Sequence, residues 1–206
     1  MTVAEIVTIA KDVLLGLAAA TTATVAVLGL RKWRQELEGK AHFETARTLI
    51  RSTYRVREAI RTCRHPFYGA HEFPEGYKGS PGAHITDEEE YRAWAYIYKN
   101  RWAPVWDALQ EFDANTLEAE ALWGSNIRTK ADALRQCLRE LNVAIDTVLR
   151  DKAHGGRDFE SDRDFGKKMR SIVAAAPDDD QNKLNQKIRQ ALDGIEQELR
   201  PHLRRS

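Results

Sequence analysis

The chain has 206 residues, with 32 Lys or Arg against 31 Asp or Glu and a formal net charge of +1. A near-neutral balance excludes a broad positive field for nucleic acid, and 42% apolar with 8% aromatic residues is enough to build a core. Collagen-like and wholly disordered chains are excluded by the same composition.

The composition is uneven, because Glu5, Lys11 and Asp12 are the sole charged residues among the first thirty. From Val13 to Leu30 there is no charge at all, and as helix this stretch spans about 27 Å against a hydrocarbon core of roughly 30 Å. It predicts a transmembrane helix over 13–30, preceded by a short extracytoplasmic terminus at 1–12. Arg31, Lys32 and Arg34 follow directly with Trp33 among them. Basic residues with an interfacial aromatic mark a cytoplasmic boundary and lipid-headgroup contact, so the body at 31–206 is expected in the cytoplasm. Gly16 and Ala20, and Ala19 and Ala23, repeat small residues every four positions, a spacing that lets helix backbones approach closely in lipid. Two other readings compete: a cleaved signal peptide fits poorly, since the basic cluster comes after the apolar run rather than before it, and a core helix of a soluble domain fits less well than a span because the segment is apolar all round.

Residues 31–64 predict an amphipathic helix continuous with the span, ending at His65-Pro66 because a residue before proline is pushed out of the α region. Arg47, Arg51 and Arg55 lie on one face of it, with Arg57, Arg61 and Arg64 on adjacent turns. Such a stripe is able to bind phosphate, nucleic acid or lipid headgroups, but with a net charge near zero it reads first as a solvated or salt-bridged surface opposite an acidic neighbour. Residues 65–85, rich in Gly, Pro, His and aromatics, predict a long mobile loop in which Gly76, Gly79, Gly82, Pro74 and Pro81 block regular structure.

Thr86 followed by Glu89 is a capping box opening a second helix. Its apolar residues Tyr91, Trp94, Tyr98, Trp102, Val105, Trp106, Leu109 and Phe112 predict the buried face, with a kink at Pro104. Trp94, Trp102 and Trp106 are also the candidate anchors for a protein partner. A third helix is expected from Ser125 or Asn126 to about Arg150, residues 152–164 as a surface connection, and 165–176 as either a short helix or an extended piece. Pro177 with Asp178, Asp179 and Asp180 reads as the start of the last helix, which runs on to Leu203. The whole predicts an all-α fold, an antiparallel four-helix-type bundle behind a membrane span, with some coiled-coil character. Residues 31–64 carry a net +6 and residues 87–120 a net −6, which makes the first two helices complementary neighbours. Phe43, Leu49, Ile60, Leu109, Leu134, Leu138, Ile145, Leu192 and Leu199 are expected to be buried.

Chemistry-bearing patterns are sparse. His65, His71 and His84 with Cys63 and Glu72 share one region, but their spacing matches no zinc pattern. Neither a phosphate-binding glycine loop nor a nucleophile elbow occurs, and no catalytic residue, cofactor, metal or small-molecule substrate is expected. Cys63 and Cys137 read as free thiols of a reducing compartment.

The order of the span, Trp33-Arg34-Gln35-Glu36-Leu37-Glu38-Gly39-Lys40, Tyr54-Arg55-Val56-Arg57-Glu58, Arg64-His65-Pro66-Phe67, Glu120-Ala121-Leu122-Trp123-Gly124 and the stretch from Ile195 to Leu203 resembles a group of uncharacterised bacterial single-pass membrane proteins. The resemblance covers most of the chain. It implies the span-plus-helices layout at a bacterial inner membrane and brings no activity, substrate or site residue. The expected function is a non-enzymatic scaffold or interaction module that meets membrane lipid and a protein partner or second copy, with no nucleic acid. The alternatives are a membrane effector or defence component that oligomerises through its span, and an enzyme using the His-rich loop.

Overall fold

A computed structural model describes the backbone of residues 3–77 and 85–203, with side chains for Lys11 and from Leu14 onward. All regular structure among the described residues is helical: α1 Val3–Cys63, a 3-10 turn Ala70–Glu72, α2 Asp87–Trp123, α3 Ser125–Ala153, α4 Arg157–Ser161, α5 Arg163–Val173 and α6 Lys183–Leu199. The chain divides into two compact units, one comprising residues 1–44 and the other 45–204.

In the first unit, residues 14–40 of α1 are exposed on every side. Leu14, Leu17, Val25, Leu28 and Leu30 are all more than half accessible. Thr21, Thr22 and Thr24 each donate their hydroxyl to the carbonyl four residues earlier, at 2.8–2.9 Å. These threonines are therefore satisfied within their own helix and place no unpaired polar group on its surface.

The second unit is the bundle. Thr45–Cys63 of α1 pairs with α2 through Arg55 to Glu111 and through Asn115 Nδ2, which donates to the Thr48 carbonyl at 3.4 Å. On its other side Tyr54 donates its hydroxyl to Glu196 of α6 at 3.0 Å. The α3 helix closes the ring, meeting α2 through Arg135–Asp113 at 2.7 Å and α6 through Lys187–Glu140 at 2.6 Å. In every pair the numbers rise on one helix as they fall on the other, so neighbours run antiparallel, up-down-up-down. One residue, Gly124 at φ +82°, turns α2 into α3. That left-handed conformation suits glycine.

The capping box stands as read: Thr86 Oγ1 accepts from the Glu89 N–H at 3.2 Å, and Glu89 accepts from the Thr86 N–H at 3.0 Å. The α2 helix continues through Pro104. Leu49, Ile60, Leu134, Leu138, Ile145, Leu192 and Leu199 are buried, whereas Phe43 and Leu109 are half-buried. On α2 the buried seam is Ala93, Ile97, Tyr98, Arg101, Val105, Ala108, Phe112, Thr116 and Ala119. It lies about one position off the aromatic stripe expected to form it. Small alanines let the neighbouring helices close in, and the large rings are displaced to the edges of the contact.

Three boundaries differ from the sequence reading. The connection at 152–164 contains α4, whose Phe159 is buried and is fixed by its N–H to the buried Asp151 carboxylate at 2.9 Å. Of the two forms open to the stretch that follows, the short helix is the one present, at Arg163–Val173, capped by Asp162, which accepts from the Phe165 N–H. Pro177 and the three aspartates belong to a turn, and α6 starts six residues later at Lys183. Asn182 Oδ1 takes both the Leu184 and Asn185 amides at 3.1 Å, so the asparagine next to Lys183 is the cap and the aspartates are not. The same helix stops at Leu199, ahead of Pro201.

Candidate functional site

Two regions carry the residues singled out from sequence: the basic end of the span and the surroundings of α2. Arg31, Lys32, Trp33 and Arg34 are all exposed, and Arg34 also pairs with Glu38 one turn on at 3.0 Å. Gly16, Ala19, Ala20 and Ala23 are exposed too. A Cβ built at Gly16 would meet nothing within 4 Å, so the small-residue edge is open. Among the described residues there is one helix long and apolar enough to cross a membrane, and none of its apolar window is buried.

The three tryptophans separate. Trp94 is enclosed by Tyr68, Phe73 and Tyr98, with ring centroids 4.7, 5.8 and 6.0 Å away, and the Lys152 ammonium sits 4.5 Å from its ring. Trp102 packs half-buried against the core. Trp106 is 53% exposed, and of the three it alone has its ring available to a partner.

Residues 65–77 contain the short 3-10 turn Ala70–Glu72 and are tied to α2 by one side chain. Arg101, on the α2 seam and 8% exposed, grips Glu72 with both ends of its fork at 2.6 and 2.9 Å. It also donates to the His65 and Phe67 carbonyls at 2.7 Å each and lies 4.1 Å over the Tyr68 ring. The hydrogen bonds from Arg101 hold the Glu72 carboxyl down at about 2, well below its ordinary value. Gly76 takes φ +81° in the following turn, and Gly79, Pro81, Gly82 and His84 lie outside the described residues. No group of three His, Cys, Asp or Glu side chains placed to share an ion occurs among the described residues.

A second arginine missed from sequence organises the other side of the bundle. Arg64 is 3% exposed. It donates to the Ile172 carbonyl at 2.7 Å and the Ser171 carbonyl at 3.3 Å, to Asn182 Oδ1 at 3.0 Å and to Asn185 Oδ1. Its own carbonyl accepts the Ala175 N–H at 3.1 Å. Every one of those acceptors is neutral. Burial pushes the guanidinium down to about 10, which leaves it charged at neutral pH. Of the arginine stripe, Arg55 reaches the acidic second helix at Glu111, while Arg57 and Arg61 turn to Glu58 on α1 itself.

Spacing alone places both arginines beside a buried seam, without the distant acceptors that turn them inward. Arg101 falls three or four residues from Ile97, Tyr98 and Val105, and Arg64 four residues after Ile60, each on a buried seam. Cys63 and Cys137 are free and buried, and burial pushes both thiols up to about 11, so they stay protonated and unreactive. No protein-family model, curated protein or solved structure matches the chain.

Proposed function

We propose that the protein is a single-pass membrane protein of the bacterial inner membrane that presents its helical bundle on the cytoplasmic side as a non-enzymatic interaction module. The observation that carries this reading is the apolar part of α1, where the leucines and valines between 14 and 30 are exposed. Covering that surface with acyl chains is worth roughly 25 cal/mol per Å². The threonines add no unsatisfied hydroxyl to it. Arg31, Lys32, Trp33 and Arg34 supply the headgroup contacts that set the orientation. Trp106 is the anchor offered to a protein partner.

A reporter fused after Ser206 tests the placement. Cytoplasmic fluorescence without periplasmic phosphatase activity, with retention of the chain in carbonate-washed membranes, is expected. Recovery in the soluble fraction, or the reverse reporter pattern, overturns it. The open edge at Gly16 favours one further reading, an effector that oligomerises through Gly16, Ala19, Ala20 and Ala23. Dye release from vesicles by the intact chain, abolished by Gly16→Leu, would select that reading over the scaffold.

A further inference from the structure

On the bundle surface beside Arg64 a cleft of about 300 Å³ opens between the end of α1, the turn after α5 and α6. All of its residues belong to the second unit, so it does not depend on the reading of the span. Its floor is hydrocarbon, from Ile60, Ile188 and Leu192, and its walls carry four arginines, Arg57, Arg61, Arg64 and Arg189. The carboxylates do not match them. Glu58 serves both Arg57 and Arg61, Asp180 serves Arg189, and among the described residues no carboxylate is within ion-pair distance of Arg64. Asp179, engaged by the Gln181 and Asn182 amides at 3.0 and 3.2 Å, and Glu140, paired with Lys187, act on Arg64 through space alone.

Arg64 is held rigidly by neutral oxygens, so its charge is fixed in place at the cleft and stays uncancelled. Arg61, whose one carboxylate contact is 3.6 Å long, has most of its fork free. Planar guanidinium forks match the oxygens of phosphate, and an apolar floor rejects a small hydrated ion in favour of one with a hydrocarbon body. We propose that this cleft binds a phosphate monoester on a short apolar chain, its headgroup among the arginines and its chain on Ile60, Ile188 and Leu192. Such a group comes either from a membrane phospholipid with a monoester head or from a soluble alkyl phosphate.

The test uses the full chain in phosphatidylcholine nanodiscs, titrated calorimetrically with octyl phosphate, and with octanol and inorganic phosphate separately. Octyl phosphate is expected to bind more tightly than either. Arg61→Gln is expected to weaken it about tenfold, the value of one charge-assisted hydrogen bond. Ala175→Trp, which fills the cleft while leaving every arginine in place, should abolish binding. Lys130→Gln, a charge change outside the cleft, should leave it intact. Thermal melts of the three variants confirm the fold. Octyl phosphate binding no tighter than octanol, or unchanged by both Arg61→Gln and Ala175→Trp, overturns the proposal. Phosphatidic acid placed in the same discs identifies the source: competition with octyl phosphate points to the lipid, and undiminished octyl phosphate binding points to the soluble ester.

Discussion

The segment after α1 and the segment before α6 are both irregular, and each is folded around one buried arginine, yet the two arginines are balanced differently. Arg101 holds residues 65–77 with a carboxylate in its grip, so the charge it takes into the protein is cancelled by Glu72. Arg64 holds residues 171–185 with carbonyls and asparagine oxygens alone. The first arrangement spends its electrostatics on structure; the second leaves a positive charge over. An ion pair in one place and an amide-lined socket in the other thus perform the same mechanical task, but only the socket leaves a field for something else to meet.

Replacing each arginine by methionine separates the two most strongly. Arg101→Met takes the partner from Glu72 and leaves two carbonyls unpaired, and should cost roughly 2–4 kcal/mol of bundle stability in urea unfolding followed by tryptophan fluorescence. Arg64→Met removes hydrogen bonds but strands no charge, and a loss of about 1–3 kcal/mol is expected. Equal losses would break the comparison.

Acid is the next lever. The Glu72 carboxyl sits at about 2 against an ordinary 4.5, so its contribution is fully present above pH 4.5 and is lost as pH falls toward 2. Between those limits the native chain should lose about 1–3 kcal/mol more than Glu72→Gln does, measured by urea unfolding across a pH series. A parallel acid response in Glu72→Gln would remove the ion pair from the account. The smallest effect is expected from Tyr68→Phe, which deletes the 2.9 Å hydroxyl contact with Tyr98. It should cost about 1 kcal/mol and raise amide exchange in residues 65–77 while leaving residues 174–185 unchanged.

Legibility from sequence followed the physics of each signal. The bundle helices were readable because Leu134, Leu138, Leu141 and Ile145 recur at the helical period, and because Thr86 and Glu89 announce a start locally. The seam of α2 lies one position off the aromatic stripe, because the rings dominate the sequence pattern while packing distance selects alanines. The start of α6 was misplaced because Asp178, Asp179 and Asp180 resemble a first turn, whereas the cap is Asn182, an asparagine that also serves Arg64. Arg64 and Arg101 were read as surface charge, or passed over, for a general reason. Whether a long cation snorkels out or folds inward depends on acceptors supplied by distant segments, such as Glu72 and the Ile172 carbonyl, and a pattern of neighbours along one helix does not contain them.

The one-residue link at Gly124 also bears on the order in which the molecule assembles. Helices α2 and α3 adjoin in sequence, so their contacts nearest the link, such as Arg128 with Glu120, close short loops, the cheapest kind to form, and the rest of the pair can zip from there. The hairpin can therefore nucleate while the bundle part of α1 and the later α6 are still unattached, and those two, paired across the chain by Tyr54 and Glu196, would dock last. The same link sets phase. One residue inserted there would turn α3 by about 100° relative to α2 and carry Leu134, Leu138 and Leu141 out of the seam, so the joint acts as a ratchet stop that admits one pairing of the two helices.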